Sequence, residues 1–163
     1  MGRFCIQGLA EVYFCRVNVE IIAIGDELLL GQTVDTNSTW MGLELSQHGF
    51  AISRKVVISD DPVELTRALN ESLSRVQAVL VTGGLGPTLD DRTKETLAEY
   101  FGTKLELHEP ALRFIRSYFQ RRNLPFLEAN KLQAMLPVGE GCTILPNPRG
   151  TAQGMWFEHK GAV

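Results

Sequence analysis

The chain has 163 residues, 44% of them apolar and 21% charged, with a formal net charge of -3. That length suits one compact domain with a single sizeable core rather than two full domains, and the ordinary balance of residue types excludes a disordered or collagen-like chain. Lys and Arg are scattered, with Arg121-Arg122 as the adjacent basic pair of the helical segments, so the charge excludes a nucleic-acid surface and leaves only a small nucleotide as a ligand of that kind.

The first stretch, "MGRFCIQGLAEVYFCRV", carries one early Arg, but Gln7 and Glu11 interrupt its apolar residues and make it a poor secretory leader. We read it as an appendage. Cys5, Cys15 and Cys142 are few, odd in number and outside metal-ligand spacing, which argues against a disulfide framework or a zinc knuckle and for a reducing cytoplasm. No run approaches the roughly 18 consecutive apolar residues of a membrane span, and no membrane partner is expected.

"VEIIA" from Val19 to Ala23 is a β-branched run ending at Gly25-Asp26, the form of a strand buried on both faces. A helix follows, with capping residues in "DTNS" before Trp40, Leu43 and Leu45 and a stop at Gly49. "FAISRKVVI" is extended again. "DDPVELTRAL" then opens a helix with Asp61 as N-cap, Pro62 first and Glu64 closing a capping box, and its Leu65, Ala68, Leu69 and Leu73 share one face.

"QAVLVTGG" is the third apolar run, and "RTKETLAEYFG" the helix after it, burying Leu97, Ala98 and Phe101 before Gly102. This alternation predicts an α/β fold with a mostly parallel sheet covered on both faces. Pro110 opens a further helix with Leu112, Ile115 and Phe119 in one stripe, broken at Leu124-Pro125. "EANKLQAML" reads as a short helical piece. The end, "CTILPNPRGTAQGMWFEHKG", holds two short strand-like runs, a Pro/Gly loop and a turn signal at His159-Lys160-Gly161.

In open parallel sheets ligands collect outside the carboxyl ends of the strands. Gly83, Gly84 and Gly86 of "TGGLGPTLDDRT" lie at such an end. Lacking Cβ atoms, they let backbone N–H groups approach a phosphate closely, and the next helix adds a dipole that favours an anion. Asp90 and Asp91 beside an anion site would repel the ligand unless a divalent cation such as Mg²⁺ lay between them. The plainer reading makes the glycines a tight turn and one aspartate the next helix cap. The loop is neither a P-loop nor a G-x-G-x-x-G turn.

A second polar cluster, "GDELLLGQTVDTNS", sets Asp26, Glu27, Asp35, Asn37 and Ser38 on the same side of the sheet; Asp26 as a turn residue and Asp35 as an N-cap are the structural alternatives. A third, "NPRGTAQG", offers Asn147, Arg149, Gly150 and Thr151 to phosphate or ribose, or is a plain surface turn. Asn130 and Lys131 offer an amide and a cation, although helix spacing alone favours a solvated Lys131. His48, His108 and His159 are isolated, so nucleophilic catalysis has little support. Trp40 and Trp156 are expected to pack rather than to stack on bases, and Cys142 to be a small buried hydrophobe.

Four ordered motifs, "AIGDELLLGQTVDTNS", "TGGLGPTLDDRT", "NKLQAMLP" and "PNPRGTAQG", resemble the N-terminal domain of the competence/damage-inducible CinA family from about Asn18 to Val163. The resemblance implies a three-layer α/β/α sandwich of the MogA-like molybdopterin-binding kind. It further implies metal-dependent hydrolysis of ADP-ribose to AMP and ribose 5-phosphate, against molybdopterin adenylyl transfer in the wider group. Carried over, it puts Gly83, Gly84 and Gly86 at the pyrophosphate and Asp90 and Asp91 at the metal. Asp26, Glu27, Asp35, Asn37 and Ser38 would complete the pocket wall, with Asn130, Lys131, Asn147, Gly150 and Thr151 at phosphate or sugar. A homo-oligomer is expected from the same resemblance.

The family usually continues through a further Pro-Gly loop and more sheet, and many members add a domain that deamidates nicotinamide mononucleotide. The expectation is therefore a domain over 18–163 that is incomplete at its C-terminus, preceded by a 1–17 extension from an early start. A non-catalytic nucleotide- or pterin-binding module is the reading outside enzymes.

Overall fold

A computed structural model describes residues 17–88 and 91–158. The early extension up to residue 16, Asp90 and the turn signal at 159–161 lie outside the described residues. Three parallel strands form the centre: β1 (Asn18–Ile24), β2 (Ala51–Ile58) and β3 (Ala78–Thr82), in the order β2-β1-β3. β1 is central, and Val19, Ile21, Ile22, Ala23 and Ile24 are all buried. Its β-branched run is that of a strand covered twice.

Alternation along β1 divides its residues between two helical layers. Ile22 and Ile24 join Ile58, Leu65, Leu69 and Leu97 in one core cluster, against α3 (Pro62–Leu73) and α4 (Thr93–Tyr100). On the other face α2 (Thr36–Gln47) lies on β1 and β2, close enough that a Cβ on Gly42 would stand 4.0 Å from Ile21 Cδ1. The expected mostly parallel sheet between helices is thus present.

After β3 the architecture changes. Strand β4 (Lys104–Leu107) pairs antiparallel with β5 (Met135–Val138), and β6 (Cys142–Leu145) with β7 (Gly154–Phe157). Helix α5 (Glu109–Arg121) packs Ala111, Leu112 and Ile115 on Ala134 and Leu136 as a second cluster. The stack of Phe101 on Phe157, with ring centroids 4.6 Å apart, joins the β6–β7 hairpin to the first cluster.

Several local expectations are corrected. The short helical piece expected of "EANKLQAML" is present as a 3-10 helix over Glu128–Ala134, but its last two residues, Met135 and Leu136, belong to a strand. Leu136 is claimed by pairing with Glu106 of β4, and Pro137 cannot continue a helix. Asp61 caps α3 through Val63 N at 2.9 Å, whereas Glu64 pairs with Arg67 rather than closing a box. Trp40 and Trp156 do not pack inside, being 62% and 53% exposed, and Cys142 is only half-buried. β3 is half-buried throughout, because among the described residues its second edge has no strand partner. No helix among these residues is long and apolar enough to cross a membrane.

Candidate functional site

The loops after β1, β2 and β3 meet at the carboxyl end of the sheet. Gly25 N donates to Ile58 O at 3.1 Å, tying the first loop to the end of β2. The next amide, Asp26 N, donates to Asp60 Oδ2 at 3.0 Å. Asp26 and Glu27 open a single helical turn, α1 (Asp26–Leu29), and both are exposed. Asp60 is the residue that sequence reading missed. Its signal was available: an acid two positions after the end of β2, just before the Asp61 cap.

The glycine loop fits onto this arrangement by contact. Gly83 has φ +108, and a Cβ there would collide with the carbonyl oxygen of Ile24, the last residue of β1. A Cβ on Gly84 would strike Thr93 Oγ1 and stand 3.7 Å from Asp60 Oδ1, and one on Gly86 would meet the Asp91 carboxylate. Gly83 and Gly84 are therefore demanded by backbone conformation and close packing before any ligand is considered, whereas Gly86 is crowded only by the Asp91 side chain. Thr93 Oγ1 donates to Gly83 O at 3.1 Å and holds the start of α4 against the loop.

Asp91 does not cap α4, whose N-cap is Arg92. Its carboxylate instead accepts from Thr88 N at 2.9 Å and from the Thr88 hydroxyl. Burial pushes this carboxyl up, but the bonds from Thr88 and Gly86 and the nearby Lys94 charge outweigh burial and leave it below the usual aspartate range. Asp91 is thus an anion at pH 7, folded back over its own loop. Arg92 lines a recess with Asp60, Thr93 and Ile24 and is an exposed cation here that the sequence reading did not single out.

The second polar cluster divides. Asp35 caps α2, accepting from Ser38 N at 3.0 Å and from the buried Ser38 hydroxyl, and pairs with Lys55 of β2 at 3.0 Å. Burial raises the Asp35 carboxyl, and those partners more than reverse it. Asp35 and Ser38 thus hold the helix, the structural alternative raised above, while Asn37 is exposed.

The remaining two motifs also fold inward. Asn130 is buried and accepts from Leu127 N at 2.8 Å; Lys131, half-exposed, pairs with Glu128 at 3.4 Å. Asn147 Oδ1 accepts from Arg149 N and Gly150 N, and its Nδ2 donates to Ala152 O at 2.8 Å. Its loop, with half-buried Thr151, packs near His108 and Pro110 at the start of α5. Asn147 thus spends both atoms of its amide on its own turn, and Asn130 its Oδ1. A cleft of about 440 Å³ between β3 and the β6–β7 hairpin opens beneath Leu85, but Val79, Leu97, Phe101, Met155 and Phe157 line it. That apolar lining suits no phosphate.

The site as built is a polar rim of Asp26, Asp60, Gly83, Gly84, Arg92 and Thr93 over three strand ends. Residues 20–162 match the family described as "Probable molybdopterin binding domain". A structure of the protein CinA from Thermoplasma acidophilum is 34% identical, with a TM-score of 0.76 over 90% of this chain and 85% of that one. The chain belongs to this molybdopterin-binding domain family, in its CinA-like branch.

A CinA-like protein of Cytophaga hutchinsonii is 43% identical to it over 148 residues, 91% of this chain and 35% of that protein. The chain thus spans about a third of the length of the curated CinA-like relatives it matches. A tungsten cofactor synthesizing protein, MoaB from Pyrococcus furiosus, shares the fold at 19% identity, with a TM-score of 0.53 over 86% of this chain and 79% of that one.

Proposed function

We propose that this domain binds a nucleoside diphosphate sugar on that rim and hydrolyses ADP-ribose to AMP and ribose 5-phosphate with a divalent cation, Mg²⁺. The observation that carries the reading is the convergence of three strand-end loops on Asp60. The Asp26 amide donates to one of its oxygens, and Gly84 packs near the other. Backbone N–H groups of the glycine loop, the start of α4 and the Arg92 guanidinium supply the positive character that a diphosphate needs.

Among the described residues no three His, Cys, Asp or Glu side chains gather to hold a metal. Mg²⁺ needs no such cage, because one or two carboxylates suffice when phosphate oxygens and water complete the shell. Asp60 and Asp91 fit that donor set, and Asp90 belongs with them in the proposal. The cation would neutralise charge on the phosphoryl oxygens. In the reaction a bond forms from water oxygen to one phosphorus, the bridging P–O bond breaks, and the water's proton passes to solvent.

The family description favours a second reading, adenylyl transfer to a pterin. One assay separates them. The protein with ADP-ribose and Mg²⁺ is expected to release AMP, and Asp60→Asn and Asp91→Asn to lose about a hundredfold in rate or more. Binding of ADP-ribose without AMP release would reduce the domain to a binding module. Adenylylation of molybdopterin from ATP, with ADP-ribose ignored, would establish the transferase instead.

A further inference from the structure

Lys94 is the second residue of α4 and only 4% exposed. A lysine there is doubly disfavoured, since burial strips water from the ammonium and the first turn of a helix repels a cation. Burial accordingly lowers its proton affinity, partly offset by the Glu95 and Asp91 carboxylates. Its Nζ donates to Leu132 O at 2.6 Å, in the middle of the 3-10 helix that carries Asn130 and Lys131.

The neighbouring Thr93 reaches the other way, to Gly83 O at 3.1 Å. Two consecutive side chains at the start of one helix therefore grip two separate motifs, the glycine loop and the 128–134 turn. Leu132 itself is exposed; Ala134 anchors the end of the turn in the second core cluster, and the Lys94 bond ties its middle to the start of α4.

Resting on the proposed function, we infer that Lys94 is a positioning residue that latches the 128–134 turn to the glycine loop, so that the Lys131 ammonium joins the loop amides as one surface for a diphosphate. Lys131 is half-exposed on that turn, and among the described residues its ion-pair partner is the exposed Glu128. Such a surface ion pair is weak, so a diphosphate competes with Glu128 at little cost.

The test combines amide hydrogen exchange with titration of inorganic pyrophosphate and of ADP-ribose into wild type, Lys94→Met, Lys94→Arg, Lys131→Ala and the Lys94→Met/Lys131→Ala pair. Lys94→Met is expected to speed exchange over 128–136 while β2 is unchanged. It is also expected to weaken both ligands about tenfold, the cost of one charged hydrogen bond. Lys131→Ala should weaken them in wild type and have no further effect once Lys94 is Met, a coupling that mere support of the fold would not produce. Lys94→Arg, which still donates to Leu132 O, should recover most of the affinity, and serves if Lys94→Met does not fold.

Unchanged exchange over 128–136, or fully additive losses, would overturn the inference. So would a wild type that binds neither ligand. Binding with the expected coupling but without AMP release leaves the latch standing and sinks only the hydrolase reading.

Discussion

Gly83 is where one missing methyl group decides the most. With φ +108 and the Ile24 carbonyl against its Cα, Gly83→Ala is expected to cost about 3 kcal/mol, combining left-side backbone strain with a clash against backbone that cannot yield. Urea unfolding checks this: the midpoint should fall with little change in slope. Glu20 is the other decisive residue. It is buried on the α3 face of β1, where Arg75 donates to it at 3.0 and 2.9 Å and Ser72 at 2.7 Å.

The Arg75 bonds hold the Glu20 carboxyl below the usual glutamate range against the opposing effect of burial. A depressed carboxyl contributes stability that is complete above the usual glutamate value and is lost as pH falls through the folded one. Asp35 and Asp91, also depressed, act in the same direction. Glu20→Gln is therefore expected to lose about 2 kcal/mol at pH 7, a figure reduced because Arg75 is 41% exposed. It should lose less further stability than wild type between pH 5 and pH 3. Equal acid sensitivity in the two proteins would show that Glu20 is not responsible.

Among the elements, α2 tests whether its polar N-terminal residues serve the helix or a ligand. Asp35→Ala removes the Ser38 amide bond and the Lys55 pair together, and is expected to cost about 1 to 2 kcal/mol in thermal or urea unfolding. Asn37→Ala, at an exposed position of the same turn, should leave stability within about 0.5 kcal/mol. Helices α2 to α5 were legible because each carries local punctuation, whereas the single turn α1, which has no side-chain cap, was read as part of a loop. Asp61-Pro62 opens α3, and Gly49 and Gly102 follow the ends of α2 and α4. Strands β4 and β5 were not legible, since four-residue runs such as "KLEL" and "MLPV" become strands only by pairing with each other.

At the scale of the molecule, two core clusters divide the work, and the β6–β7 hairpin meets the first through Met155 and the stack of Phe157 on Phe101. Phe157→Ala is expected to cost about 2 kcal/mol. Hydrogen exchange should quicken in 142–157 while β1 stays protected. Uniform acceleration across all strands would mean instead that the hairpin and the parallel sheet open as one unit.

By itself the sequence determined the βαβαβ order, the helix ends and the place where chemistry gathers, because periodicity, capping and glycine turns act over a few neighbouring residues. The tertiary structure alone decided that Asp60 stands between the first loop and Gly84, that Asp91 folds over its own loop, and that Asn130 and Asn147 serve their turns. Those outcomes depend on which hydrogen-bond donor lies within about 3 Å of each polar atom. Groups 34 residues apart, as Asp26 and Asp60 are, become neighbours only when the sheet aligns its strand ends.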